Sequence, residues 1–459
     1  MELMQIKRGK KVDTQKHLFD NRKLAALLIP LAIDQLLNSF MGTVDTLVVS
    51  NLGSAAISAV TLVDSINILI VQAFFALASG GTVVCSHYLG CKKREHAKEA
   101  ARQLIFITFC LSVMIGAICL IFNGQILGLI FGEVEESVMI NAKKYFFFSA
   151  ISYPFIALYD DGSCILRAQE NSSLPMKISI CSNIVNIVLN VWFVWGLHLG
   201  VAGSACATML ARMFAMIVVM YRLRKPELEI PVYDYFTIRP QWKEIQRILN
   251  IGIPSGIENS MFQFGKLAIQ STVSLMGTAA IAAQGMASII ENLNGILAIG
   301  VGVGLMTVVG ECLGAGRKDE AIYYVKKLSI VSEIVIVISC IVMYILVYPI
   351  TKFGGMERES ARLCIHMVTW ITVVKPIAWV FSFIPAYGFR AAGDVKFTMT
   401  VSVLSMWLCR VMLSMILARG FGMGPMAVWS GMFADWTVRG IVYAIRLKNK
   451  KWLNHQVIG

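Results

Sequence analysis

Charge is what this chain has least of. Only 15% of its 459 residues are Asp, Glu, Lys or Arg, while 57% are hydrophobic. Soluble domains run at about 25% charged and about 45–50% apolar. A soluble chain of this length needs two or three solvated domain surfaces, and this composition cannot cover them. An ordinary soluble enzyme, a disordered chain and a small disulfide scaffold are therefore excluded. Catalytic motifs are missing too. The 11 cysteines contain no C-x-x-C pair and fall mostly inside apolar runs, as Cys110, Cys119, Cys181, Cys206, Cys340 and Cys409 do. They read as small packing residues rather than metal ligands or disulfides. No G-x-x-x-x-G-K-[ST] is present, and Gly314-Ala-Gly316-Arg-Lys318 lacks that spacing, so ATP drive from this chain is not expected. None of the six histidines sits in an H-E-x-x-H array. The expectation is a protein that is no enzyme and carries no cofactor. The basic N-terminus has no short apolar core ahead of a small-residue cleavage site, so no removable signal peptide is expected.

Long uncharged runs take the place of these motifs. Residues 104–122 (LIFITFCLSVMIGAICLIF) carry no charge and are long enough for a bilayer core of about 30 Å. Similar runs at 24–49, 60–88, 102–122, 143–166, 176–196, 201–221, 250–274, 282–310, 325–348, 365–387, 397–418 and 425–445 predict twelve transmembrane helices. The runs are too uniformly apolar for the alternating ten-residue strands of a barrel. Base exceeds acid, 41 Lys+Arg against 28 Asp+Glu for a net of +13. The excess lies in the N-terminal segment, in every second loop (91–102, 167–177, 222–247, 317–327, 390–396) and in the tail. The loops between are short and neutral or acidic, as at 133–136, with 352–362 a mixed exception. By the positive-inside rule both termini are expected on the cytoplasmic face of the cell membrane. Nucleic acid is an improbable partner, because the positive charge is dealt to one membrane face rather than gathered into a patch.

The chain is written twice. An offset of 224 places Ile29-Pro30 on Ile253-Pro254, Gly53-Ser-Ala-Ala-Ile57 on Gly277-Thr-Ala-Ala-Ile281 and Leu89-Gly90 on Leu313-Gly314. About a quarter of positions match over some seventy residues, which marks an internal repeat. Later, Arg167-Ala168 matches Arg390-Ala391 at an offset of 223. Each half then holds six spans in the same orientation, as in transporters built from parallel repeats. The expected organisation is a cytoplasmic segment 1–23, a six-helix lobe 24–221, a cytoplasmic linker 222–249, a second six-helix lobe 250–445 and a cytoplasmic tail 446–459. Pro30 is expected near the start of its span, where proline is ordinary.

Ionisable groups within spans are costly and mark functional candidates. Asp45, in Gly42-Thr-Val-Asp-Thr46, maps onto Ile269, and Asn186 and Asn190 map onto Cys409 and Leu413. One carboxylate and two amides spaced i, i+4, near a hydroxyl such as Thr208, make an oxygen-rich pocket for a small hard cation or a proton. Glu258 repeats Asp34 at the same offset from its proline and reads as a cleft-lining acid or a shared structural feature. Glu291 can attract a cationic substrate. Lys266 and Lys375 can pair with Glu258 or Glu291, or favour an anionic substrate, and Arg410, Asp435 and Arg439 suit a packing network.

These patterns resemble the multidrug and toxic compound extrusion (MATE) transporters over essentially the whole chain. The resemblance rests on Pro30…Val44-Asp45-Thr46…Leu52-Gly53, Leu89-Gly90, Leu166-Arg167-Ala168, Asn186-Ile-Val-Leu-Asn190 and Gly200-Val-Ala-Gly203-Ser-Ala-Cys-Ala-Thr208. It implies an all-α polytopic membrane protein with two pseudo-symmetric six-helix bundles around a central cleft. It also implies export of organic, cationic or amphipathic drug-like compounds in exchange for Na⁺ or H⁺. The implied cation site comprises Asp45, Asn186, Asn190, Thr208 and the Ser204 carbonyl, with Na⁺ a candidate at Asp45, Asn186 and Asn190. The chain departs from members with a seventh-helix glutamate, because Phe262 stands there, and Trp379 stands near the place of their tenth-helix acid. Partners are then the substrate, the coupling ion and the bilayer, with a monomer expected. A lipid or lipid-linked oligosaccharide flippase is the alternative, with a channel behind it.

Overall fold

A computed structural model describes residues 17–458 apart from 51, 133, 134, 234 and 236; the side chains of 40–47 and 50 also lie outside the described set. The fold is all-α. Among the described residues twelve long helices follow one another: α1 (Asn21–Ser50), α2 (Ser54–Gly90), α3 (Arg94–Ile121), α4 (Glu136–Ala168), α5 (Ser173–Gly196) and α6 (Gly200–Leu223), then α7 (Trp242–Ser274), α8 (Thr278–Gly314), α9 (Lys318–Phe353), α10 (Arg358–Ala391), α11 (Val395–Gly420) and α12 (Met426–Lys448). Each coincides with one of the twelve apolar runs. Eight are long and apolar enough to cross a membrane. Helices α4, α7 and α12 have spanning length but carry ionisable groups mid-helix: Asp160 and Asp161, Glu258 and Lys266, Asp435 and Arg439.

Several helices run past the apolar segment, because Lys, Arg and Glu are good helix formers and the charged loop residues extend the first turn. Thus α3 starts at Arg94, and α7 starts at Trp242, inside the segment read as linker. Pro30 consequently lies well inside α1 and Pro254 well inside α7, contrary to the expected helix-start position. Each removes one backbone donor from its ladder. Linker residues Ile230 and Val232 are core residues. Tyr235 donates to the Met220 carbonyl at 2.8 Å, and burial pushes its phenol up to about 12.

The two halves pack alike. In the first, α2 and α6 flank α4, α3 lies against α4, and α1 lies against α5; in the second, α8 and α12 flank α10, α9 lies against α10, and α7 against α11. Across the halves, α1 meets α8 and α2 meets α7, an exchange that a pseudo-two-fold axis produces. Local chain geometry repeats as well. Gly53 (φ 98°) and Gly277 (φ 95°) open α2 and α8 in a conformation that glycine alone adopts cheaply.

The halves close on each other at the end that carries the basic loops. A Cβ on Gly314 would come within 2.1 Å of the His87 carbonyl oxygen, and one on Gly90 within 2.2 Å of that of Glu311. Only glycine permits so close a crossing of α2 and α8. Tyr88 donates to the Glu244 carboxylate (2.9 and 3.0 Å), and His87 Nε2 lies 2.7 Å from the Ala391 carbonyl oxygen. The largest hydrophobic cluster joins the halves, and its first-half members are confined to 19–31, 77–105, 159–178 and 215–232. Towards the opposite end the first half has a cluster of its own around Val63, Phe146 and Val201, while the second half keeps the continuation of the large cluster through Ala283, Val347 and Cys364 and a small one around Ile269, Met406 and Val428.

Candidate functional site

Asn186 and Asn190 lie one turn apart on α5, immediately before a π-helical stretch, Val191–Gly196. Such stretches in transmembrane helices shift the register of the residues beside them and recur at functional sites. Both amides are buried, as are Ser204 and Thr208 on α6. Asn186 Nδ2 donates to Thr208 Oγ1 at 3.1 Å. Asn186 Oδ1 and Ser204 Oγ are buried without a hydrogen-bond partner among the described residues. Leaving such oxygens unmatched is costly, and they are the donor type that a hard cation takes. The structure therefore brings Asn186 of α5 to Thr208 of α6, with Asn190 and Ser204 one turn away on the same two helices. Asp45 belongs to α1, which packs along α5, but its side chain lies outside the described residues.

Thr208 also lines a cavity of about 250 Å³ with Asp64, Asn67, Gln72 and Arg212. There Asn67 donates to Asp64 Oδ1 (3.2 Å) and accepts from the Tyr153 hydroxyl (2.9 Å), while Arg212 donates to Ser152 (2.8 Å). Sequence reasoning passed over this group. The signal was available, since Asp64 is the only acid in the 37 residues of α2. A second cavity of about 260 Å³ adjoins it, lined by Gln35, Asp160, Arg167, Asn183 and Arg212.

In the second half, Glu258, Lys266 and Glu291 line one cavity of about 260 Å³, with Phe262, Phe383 and Trp379 forming its aromatic wall. The acids are engaged. Glu258 accepts from Arg390 Nη2 at 2.8 Å, and Glu291 pairs with buried Lys375 at 2.7 Å. Glu258 thus pairs with neither lysine, and its bond is the repeat partner of Asp34–Arg167 in the first half, at 2.9 Å. Arg439 pairs with Asp435 (2.6 and 2.8 Å), which also accepts from Ser405, and its guanidinium lies over Phe262 and Phe383. Gln72 of α2 borders cavities of both halves, so the cavities meet at the molecular centre.

Two six-helix halves of equal orientation, closed at one end around polar cavities that meet at the centre, define the architecture of a repeat-built membrane transporter. A family model described as MatE matches residues 30–192 and again 254–416, two segments at the offset of 224 seen in the sequence. The chain belongs to the MatE family. It is similar to "Probable multidrug resistance protein NorM" of Thermotoga maritima, with 23% identity over 95% of this chain and 94% of the relative. It is likewise similar to "Uncharacterized transporter YisQ" of Bacillus subtilis (25% identity, 94% of each chain). Among solved structures, "Outward-facing conformation of a multidrug resistance MATE family transporter of the MOP superfamily" superposes with a TM-score of 0.87 at 18% identity, covering 94% of this chain and 96% of that one.

Proposed function

We propose that this protein is a secondary antiporter of the cell membrane, exporting organic compounds in exchange for Na⁺ or H⁺ by alternating access. One observation carries the reading: the halves share a core at the basic-loop end and have separate cores beyond it, around cavities that meet at Gln72. That is one of the two states an alternating-access protein needs, closed on the basic side. The positive-inside rule makes the basic side cytoplasmic, with both termini there, so the state is the outward one. The names of relatives as multidrug resistance proteins support organic compounds as cargo. The coupling ion is assigned to the first half, at Asp45, Asn186 and Asn190 with Thr208 and the Ser204 carbonyl. The buried, unmatched Asn186 oxygen favours this assignment. Ion and cargo compete because each binds one conformation better than the other.

The test is transport of ethidium, norfloxacin and 2-naphthoate in proteoliposomes under an imposed Na⁺ or pH gradient. Wild type moves at least one of them under one gradient, and Asp45→Asn brings the rate down to that of protein-free liposomes. Gradient-driven transport unchanged by Asp45→Asn would sink the site assignment; lipid scrambling without gradient-driven efflux would point to the flippase.

A further inference from the structure

The two halves differ in the sign of the charge they turn to the cleft. The first-half cavities are lined by Asp64 and Asp160 against Arg212, with Arg167 already paired to Asp34. The second-half cavity has the opposite excess. Two carboxylates line it, a third (Asp435) is buried behind the lining Arg439, and each is held by its own cation: Glu258 by Arg390, Glu291 by Lys375 and Asp435 by Arg439. Lys266 of α7 and Arg410 of α11 remain, without an ion pair among the described residues. Both line the same two cavities, of about 260 and 280 Å³. Arg410 Nε is buried with no hydrogen-bond partner among the described residues. The residue sits in a second π-helical stretch, Met406–Met412, and such stretches are frequent at functional sites.

Lys266 stands exposed in the cavity and Arg410 half-buried in its wall, so two like charges repel each other across it and the arginine is partly stripped of water. An anion between them removes both penalties. A cation would meet an excess of two positive charges, because Glu258 and Glu291 are already neutralised by Arg390 and Lys375. Beside the cations stand flat rings: Trp379 stacks on Phe383 with centroids 4.8 Å apart, and Phe262 lies next to them. We propose that this second-half cavity binds an organic anion with an aromatic body, its acidic group held by Lys266 and Arg410 and its ring against Phe262, Trp379 and Phe383. This deepens the antiporter reading by giving its cargo a charge, and it reverses the cationic preference expected from the family resemblance.

The experiment compares three probes of one shape: 2-naphthoate, neutral 2-naphthamide and the 2-naphthylmethylammonium cation. Each is titrated calorimetrically into the full-length protein in nanodiscs of zwitterionic lipid. The anion should bind most tightly and the cation least. Lys266→Gln and Arg410→Gln should each raise the Kd for naphthoate about tenfold, the worth of one charge-assisted hydrogen bond, and leave that for naphthamide unchanged. Lys266→Arg, which keeps the charge, should retain naphthoate binding. The proposal is overturned if the ammonium binds as tightly as the carboxylate, or if the glutamine variants weaken all three probes alike. Binding is read at equilibrium without any gradient. Naphthoate held through Lys266 in a protein that moves nothing under either gradient overturns the antiporter reading alone. Gradient-driven transport by a protein that prefers the ammonium overturns the anion site alone.

Discussion

Asp34 and Arg167 form a buried pair at 2.9 Å, and Glu258 and Arg390 form its counterpart at 2.8 Å. Each links the first helix of its half to the fourth. Removing one partner from such a pair costs about 3–5 kcal/mol, because the survivor is a buried uncompensated charge. Arg167→Met is therefore expected to lower the thermal midpoint of the purified protein sharply. Asp34→Leu combined with Arg167→Met should recover most of the loss, since the orphan charge is then gone; a double variant no more stable than the single one would contradict this. All four residues were legible as repeat-related positions. Their pairing was not, because the partners lie 133 and 132 positions apart and only helix packing brings them together.

At the scale of elements, the caps show where the repeat has drifted. Helix α8 ends on Gly316 (φ 74°), and the equivalent residue after α2 is Lys92 (φ 58°). Helix α10 ends on Gly393 (φ 86°), and the equivalent residue after α4 is Glu170 (φ 60°). The capping bonds are the same in each case, as with Lys93 N to Tyr88 O (2.9 Å) and Arg317 N to Cys312 O (2.8 Å). A left-handed residue with a Cβ costs about 1–2 kcal/mol, while glycine is more flexible when unfolded by about 0.4–1 kcal/mol. Lys92→Gly should accordingly stabilise the protein by about 0.5–1 kcal/mol, measured by thermal unfolding against wild type. The α2–α8 crossing yields a second expectation. Gly314→Ala places a methyl against the His87 backbone, so the closed end must part. Cys91, whose thiol lies 2.8 Å from the Gly314 carbonyl oxygen, should then react faster with N-ethylmaleimide, followed at that site by mass spectrometry. An unchanged rate would mean that the crossing has slack the close approach does not suggest.

For the molecule as a whole, the shared core at one end and the divided core at the other make closure a property of the α1, α2, α7 and α8 seam rather than of either half. The helices that carry the repeat-related Pro30 and Pro254, α1 and α7, belong to that seam. Spin labels at residues 93 and 318, in the two basic loops beside it, are expected to report a short distance in the state seen here. A longer population should appear when the protein turns to its other state in a series of pH, Na⁺ and substrate conditions. One distance throughout would contradict alternating access.

Twelve spans, the two-fold repeat and the candidate amides of α5 could all be read from the chain. The bilayer demands uninterrupted apolar length, a repeat preserves spacing, and buried polar side chains are rare enough to stand out. Asp64 and Arg212 were readable on the same ground and were passed over. Tertiary structure alone decided which charges are neutralised. The sequence leaves Glu258 and Glu291 open between cleft-lining acids and partners of Lys266 or Lys375, and the structure binds each to a cation from α10, Arg390 and Lys375, while Lys266 and Arg410 are left facing the cavity. The reason is geometric. A charge's chemical role depends on what lies within a few ångströms of it, and in a bundle of long helices those neighbours come from segments a hundred or more residues away.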